Sequence, residues 1–214
     1  MVRINFDQFI WLAEQEAKKL DTTTKLIYYS AHKQLSDAYS IAATHARETE
    51  ELDEPDRSYY IDLLAEEYRE QRAALAAMTL ALLWRTVKFY LDSMVAWLEN
   101  RFPPQFSPTG KSELDRTVDE YRSRFGVELE GLSHFATVRE VVLARNSALH
   151  NGGQPIHDYM DRTERHCLDQ GGHLNLTPEL LETLVGELKQ FITELGREMS
   201  RATQQSKTSE LTGS

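Results

Sequence analysis

The chain has 214 residues, of which 41% are hydrophobic, and this content is sufficient for one hydrophobic core. The formal net charge of −10 excludes a broad basic surface for nucleic acid, so any contact with RNA has to be local. The single cysteine, Cys167, excludes an internal disulfide and a zinc site built from several thiolates of one chain, and it favours a cytoplasmic location.

Composition and periodicity predict an all-α protein, a helical bundle of about five to six helices, because glycine and proline are few. The first two helices are predicted at about 4–20 and 24–47, separated by the DTTTK stretch. Acidic residues among the apolar positions of the first helix, and the lack of a small-residue cleavage site, argue against a secretion signal.

The longest helix is predicted over about 57–100, after an acidic connection around Pro55. Its apolar run AALAAMTLALLW, residues 73–84, is shorter than the roughly 20 residues that a membrane span requires. We therefore expect this run to be a central buried helix, and we expect no membrane partner.

A proline-rich break covers residues 102–110, and Ser112 with Asp115 then forms a capping-box-like start of a fourth helix. A fifth helix ends at Asn151-Gly152-Gly153, and a polar connection over 151–176 leads to a last helix from Thr177 to about Ser200. These elements predict one domain over residues 1–202 and a disordered tail over 203–214.

Three polar residues crowd the end of the fifth helix in LARNSALHNGG, residues 143–153. Asn146 and His150 are four positions apart and share a helix face, and the long side chain of Arg145 can swing beside them. An imidazole can transfer a proton and a guanidinium can pair with a phosphate, which suits RNA cleavage. The alternative is that Arg145 and His150 only stabilise the negative helix terminus while Asn146 faces solvent.

The stretch RNSALH, from Arg145 to His150, resembles the R-x4-6-H signature of the HEPN superfamily, in the form with Asn after Arg. The resemblance extends over roughly residues 24–200 in helix order. It implies a metal-independent endoribonuclease without a cofactor, in a toxin–antitoxin, phage-defence or RNA-processing setting. It also implies that Arg145, Asn146 and His150 are catalytic and that two copies of the motif meet across a homodimer cleft.

Further candidate residues surround the motif in the sequence. The weaker candidates for RNA contact are Arg139, Asn151, Arg162 and Arg165. We expect nearby acidic residues to cancel much of their charge, namely Glu140, Asp158, Asp161 and Glu164. A substrate of structured or ribosome-bound RNA, recognised through its shape, suits the acidic chain.

Two other classes of function stay open at this point. One is a catalytically silent helical module that binds a partner protein, such as an antitoxin or a subunit of a defence complex. The other is a metal-dependent hydrolase that uses residues of the long connection, for which the candidate ligands are His157, His166, Cys167 and His173. Their spacing matches no compact zinc pattern, so we expect no metal.

Overall fold

The fold is an all-α bundle, as the composition predicts. The computed structural model describes residues 7–49, 53–98, 112–150, 156–164, 166–168 and 173–212. The helical elements within these ranges are α1 (Asp7–Lys19), a π-helical turn (Leu20–Thr24), α2 (Lys25–Glu48), α3 (Glu54–Leu98), α4 (Glu113–Phe125), a 3-10 turn (Leu129–Gly131), α5 (Phe135–His150), α6 (His157–Arg162) and α7 (Pro178–Thr212). The only β-pairing in the described part is an isolated bridge between Leu168 and Leu174.

Helices α1 and α2 form one continuous rod, which differs from the predicted break at DTTTK. The π-helical turn joins them without leaving helical backbone angles at Lys19 or Thr24. Threonine weakens a helix but keeps its backbone donor, so tertiary contacts can override its low propensity. Leu20 is fully buried and Thr24 is 1% exposed, which supplies those contacts. With the two counted as one rod, the described part has six helices.

Helix α3 has 45 residues and is the central element. In the N-terminal half of α3, Tyr68 stacks on Tyr39 of α2, and the two ring centroids are 4.6 Å apart. Further along, the Tyr121 hydroxyl of α4 donates to the Leu91 carbonyl at 2.8 Å, and α1, α5 and α7 also pack on this helix. By length and composition α3 could cross a membrane. Half of its most apolar 18-residue stretch is buried within the protein, however, and the core helix of a soluble protein can have the same length and composition.

The apolar run predicted to be central and buried, residues 73–84, is buried or half-buried at every position except Ala74 and Met78. Leu80 and Leu83 are fully buried, whereas Met78 is 71% exposed. Beyond this run the outward side of α3 exposes Phe89, which is 53% exposed, together with the charged residues Arg85 and Asp92. The expectation of a central buried helix therefore holds for most of this run and is wrong only at its exposed positions, Ala74 and Met78.

The boundaries of the later helices follow from local and from tertiary contacts. The predicted capping box at α4 is confirmed: Ser112 Oγ accepts from the Asp115 amide at 3.0 Å, and Asp115 Oδ2 accepts from the Ser112 amide at 3.3 Å. Helix α7 continues to Thr212, past the end predicted near Ser200 and through most of the segment predicted to be a tail. Its core contacts do not stop at Ser200, since Thr203 is 1% exposed. The proline-rich break at 102–110 lies outside the described residues.

Candidate active site

The motif residues lie in the last turns of α5, a mostly buried helix. Val141 and Ala144 are buried, while Arg145 and Asn146 are half-buried and Leu149 is 51% exposed. His150 is the last residue of the helix, and its side chain lies outside the described residues. The solvent-facing arc at the end of α5 is thus formed by the motif.

A hydrogen bond brings two of the three predicted catalytic side chains together. Arg145 Nη1 donates to Asn146 Oδ1 at 3.0 Å, so the guanidinium bends around the helix toward Asn146. Residues four apart differ by about 40° around a helix, so the position of His150 lies on the same face as Asn146. The Nε atom of Arg145 is buried and has no hydrogen-bond partner in the described part of the chain. The hydrogen bond therefore holds the guanidinium over the Asn146 face.

Two of the weaker RNA-binding candidates line one small cavity between α4, the 3-10 turn, α5 and α6. The cavity has a volume of about 120 Å³, and Arg122, Arg139 and Arg162 line it. Arg139 pairs with Glu130 at 2.7 Å and Arg162 pairs with Asp115 at 3.3 Å. These ion pairs neutralise the arginines locally, which makes them poor general contacts for phosphate. The other two candidates, Asn151 and Arg165, lie outside the described residues.

The charge-cancelling role expected of Glu140 is wrong, because this residue is buried beneath α6. Only 4% of Glu140 is exposed, and its Oε1 accepts from the Tyr159 hydroxyl at 3.0 Å and from the Cys167 amide at 2.9 Å. Burial raises the pKa of the Cys167 thiol and that of the Tyr159 hydroxyl well above their ordinary values. Glu140 thus fastens the long connection to α5 within the core.

A second contact, made by Ser147 of the motif, holds the polar connection over 151–176 against α5. Ser147 lies between Asn146 and His150 and is fully buried. Its hydroxyl donates to the Leu143 carbonyl at 2.9 Å and accepts from the Ile156 amide at 3.1 Å. Sequence reasoning gave Glu140 a different role and did not single out Ser147, since the contacts that join them to the connection come from residues outside α5. Both residues position the end of α5 rather than face the solvent.

Three of the candidate zinc ligands of the connection are paired with a carboxylate or buried. His157 pairs with Asp161 at 2.7 Å, His166 pairs with Glu164 at 2.8 Å, and Cys167 is 1% exposed. Among the described residues, no group of three or more His, Cys, Asp or Glu side chains is placed to hold a metal ion.

No family model, no curated protein and no solved structure matches this chain. The resemblance to the HEPN superfamily therefore rests on the motif and on its position in the helix order.

Proposed function

We propose that this protein is a metal-independent endoribonuclease of the HEPN type. The observation that carries the proposal is the hydrogen bond between the half-buried side chains of Arg145 and Asn146 at the end of a mostly buried helix. A guanidinium fixed in this way can meet a phosphate without a large loss of side-chain entropy. The buried contacts of Glu140 and Ser147 support it, because they fix the helix end that presents the group.

In the proposed reaction, the RNA 2′-hydroxyl attacks the adjacent phosphorus. The 2′-oxygen–phosphorus bond forms, His150 accepts the hydroxyl proton, and the bond to the 5′-oxygen of the next nucleotide breaks. Arg145 stabilises the charge that grows on the phosphate oxygens, while Asn146 holds the guanidinium in place. His150 of a second copy, across a homodimer cleft, protonates the leaving 5′-oxygen. The products carry a 2′,3′-cyclic phosphate and a 5′-hydroxyl.

The proposal extends to the setting of the reaction. We place the enzyme in the cytoplasm, in a toxin–antitoxin or phage-defence system, with an antitoxin or a defence-complex protein as a possible regulator. Because the chain carries a net charge of −10, its substrate is a structured or ribosome-bound RNA that is recognised by shape.

A competing proposal is a catalytically silent helical module that binds a partner protein. The exposed apolar side of α3 favours it, since large apolar side chains such as Met78 and Phe89 face outward there. In that case Arg145 has only the electrostatic role of a cation at a helix C-terminus.

The test compares the wild-type protein with His150→Ala on structured RNA in the presence of EDTA. The matched control is His45→Ala, which removes an exposed histidine of α2. Cleavage that survives EDTA, leaves 2′,3′-cyclic phosphate ends and disappears only in His150→Ala supports the endoribonuclease. Folded wild-type protein that cleaves no RNA supports the silent module, and loss of cleavage on chelation would indicate a metal-dependent hydrolase.

A further inference from the structure

The outward side of α3 carries a row of residues that other parts of the described chain cover only in part, since Lys19 Nζ lies over one face of the Phe89 ring at 5.3 Å from the centroid. We define the outer face of α3 by the six residues Met78, Leu82, Arg85, Phe89, Asp92 and Ala96. All except the half-buried Leu82 are exposed. Their spacing alternates between four and three residues, which is the pattern of a two-helix coiled-coil seam. A seam of this kind requires a second helix.

We propose that the outer face of α3 is the interface with a second copy of this chain, with the two α3 helices antiparallel. This interface is additional to the homodimer cleft of the proposed ribonuclease, so a protein that forms both assembles into at least a tetramer, and the inference does not depend on that activity. The end of α5 that carries Arg145 and Asn146 is a different surface, because α5 packs on α3 from within the bundle.

The arrangement of large, small and charged side chains on this face is self-complementary. With a two-fold axis near Val87, Met78 lies opposite the small Ala96 of the second copy, Arg85 lies opposite Phe89, and Leu82 lies opposite Asp92. The guanidinium can then stack on the aromatic ring and reach Asp92 of the second copy, less than one helical turn away. Each contact occurs twice by symmetry, as an isologous interface requires.

The electrostatics of the outer face favour a second copy over lipid. Arg85 forms no ion pair within the described part of the chain, and Asp92 pairs only with Lys88 of its own helix. Two charged groups in the middle of the exposed face disfavour insertion among lipid chains. The face itself is neutral, since Arg85 and Asp92 cancel, although the chain carries a net charge of −10, so contact here brings no like net charges together.

The first test is a charge exchange at the proposed interface, read as molar mass by light scattering during gel filtration. Arg85→Asp and Asp92→Arg each place like charges opposite one another, so we expect each single variant to dissociate at least about tenfold more readily than wild type. The double variant restores opposite charges and should recover the wild-type mass. Circular dichroism checks that each variant is folded.

The second test fixes the register and direction by cross-linking. Met78→Cys and Ala96→Cys proteins are oxidised alone and as a mixture. The antiparallel register predicts a disulfide dimer in the mixture and none in either protein alone, and the native Cys167 does not compete because it is buried. The same substitutions combined in one chain should give covalent dimers.

Three outcomes would overturn the proposal. These are a wild-type mass that Arg85→Asp leaves unchanged, cross-linking of Met78→Cys with itself, and binding of the wild-type protein to phosphatidylcholine vesicles through this face. The last outcome would assign the outer face of α3 to lipid.

Discussion

Arg145 can act as a simple cation at the helix terminus or as a planar hydrogen-bond donor to phosphate, and a substitution by lysine distinguishes these two roles. As a cation near a helix C-terminus it is replaceable by lysine, but as a planar donor fork over Asn146 it is not. We expect Arg145→Lys to change the free energy of unfolding by less than about 0.5 kcal/mol. We expect it to lower kcat/KM for RNA cleavage at least about tenfold, because an ammonium cannot keep the fork geometry. Retention of full activity in Arg145→Lys would assign the residue a structural role only.

The buried contacts of Glu140 predict that this residue stabilises the fold. Glu140→Ala leaves the Tyr159 hydroxyl and the Cys167 amide without their buried acceptor, so we expect a loss of about 2–4 kcal/mol in urea unfolding. Glu140→Gln keeps an oxygen acceptor and should lose less than half of that amount.

The reactivity of Cys167 gives an independent readout of the same contact. Burial raises the pKa of its thiol, so the native protein should react slowly with a thiol reagent near neutral pH. Glu140→Ala should react faster, because the connection then opens more often. Equal reactivity in the two proteins would show that Glu140 does not hold this segment.

Sequence reasoning located Arg145 and Asn146 correctly on one helix end, because helix geometry alone sets the distance between near neighbours. It placed Glu140 wrongly, since a glutamate is rarely buried unless partners satisfy it. Those partners are Tyr159 and Cys167, which lie 19 and 27 positions away in the chain. No local pattern could have indicated them.

The same distinction holds for whole elements. The start of α4 was predictable because the capping box needs only Ser112 and Asp115, three positions apart. The π-helical turn and the extension of α7 were not predictable, because burial of Leu20 and Thr203 against other helices decides them. Local chemistry therefore predicted where an element begins, and tertiary packing decided where helices continue.

Helix α7 contains two glycines whose surroundings differ, and they form a matched pair for mutation. A Cβ atom at Gly196 would lie 2.9 Å from the Tyr90 hydroxyl and 3.3 Å from the Ala13 Cβ, whereas nothing lies within 4 Å of one at Gly186. We expect Gly186→Ala to stabilise the protein by up to about 1 kcal/mol through helix propensity. We expect Gly196→Ala to destabilise it by about 1–3 kcal/mol, since α7 must move away from α1 and α3.

A second substitution tests whether the Tyr90 hydroxyl causes this loss. The hydroxyl is buried and has no hydrogen-bond partner in the described part of the chain, so Tyr90→Phe should itself cost little. Combined with Gly196→Ala, it should recover part of the lost stability, because only the contacts with Ala13 and Phe9 then remain close. Additive losses in the double variant would contradict this contact.

At the scale of the whole molecule, the net acidic charge and the proposed site act on RNA in opposite directions. A net charge of −10 repels RNA over distances set by the Debye length, whereas a guanidinium acts on a phosphate at direct contact. Salt weakens the first interaction much more than the second. The dependence of cleavage on salt therefore reports which interaction controls the approach of the substrate.

We expect kcat/KM for a long structured RNA to rise roughly threefold as ionic strength increases from about 0.01 to about 0.1 M, since the Debye length falls from about 30 to about 10 Å. A basic ribonuclease shows the opposite trend, because salt competes with its phosphate contacts. A dinucleotide substrate provides the control: it carries one phosphate charge, so its cleavage should change little. A steep fall in the cleavage of long RNA with salt would contradict the prediction, because such a fall requires many phosphate contacts with a basic surface.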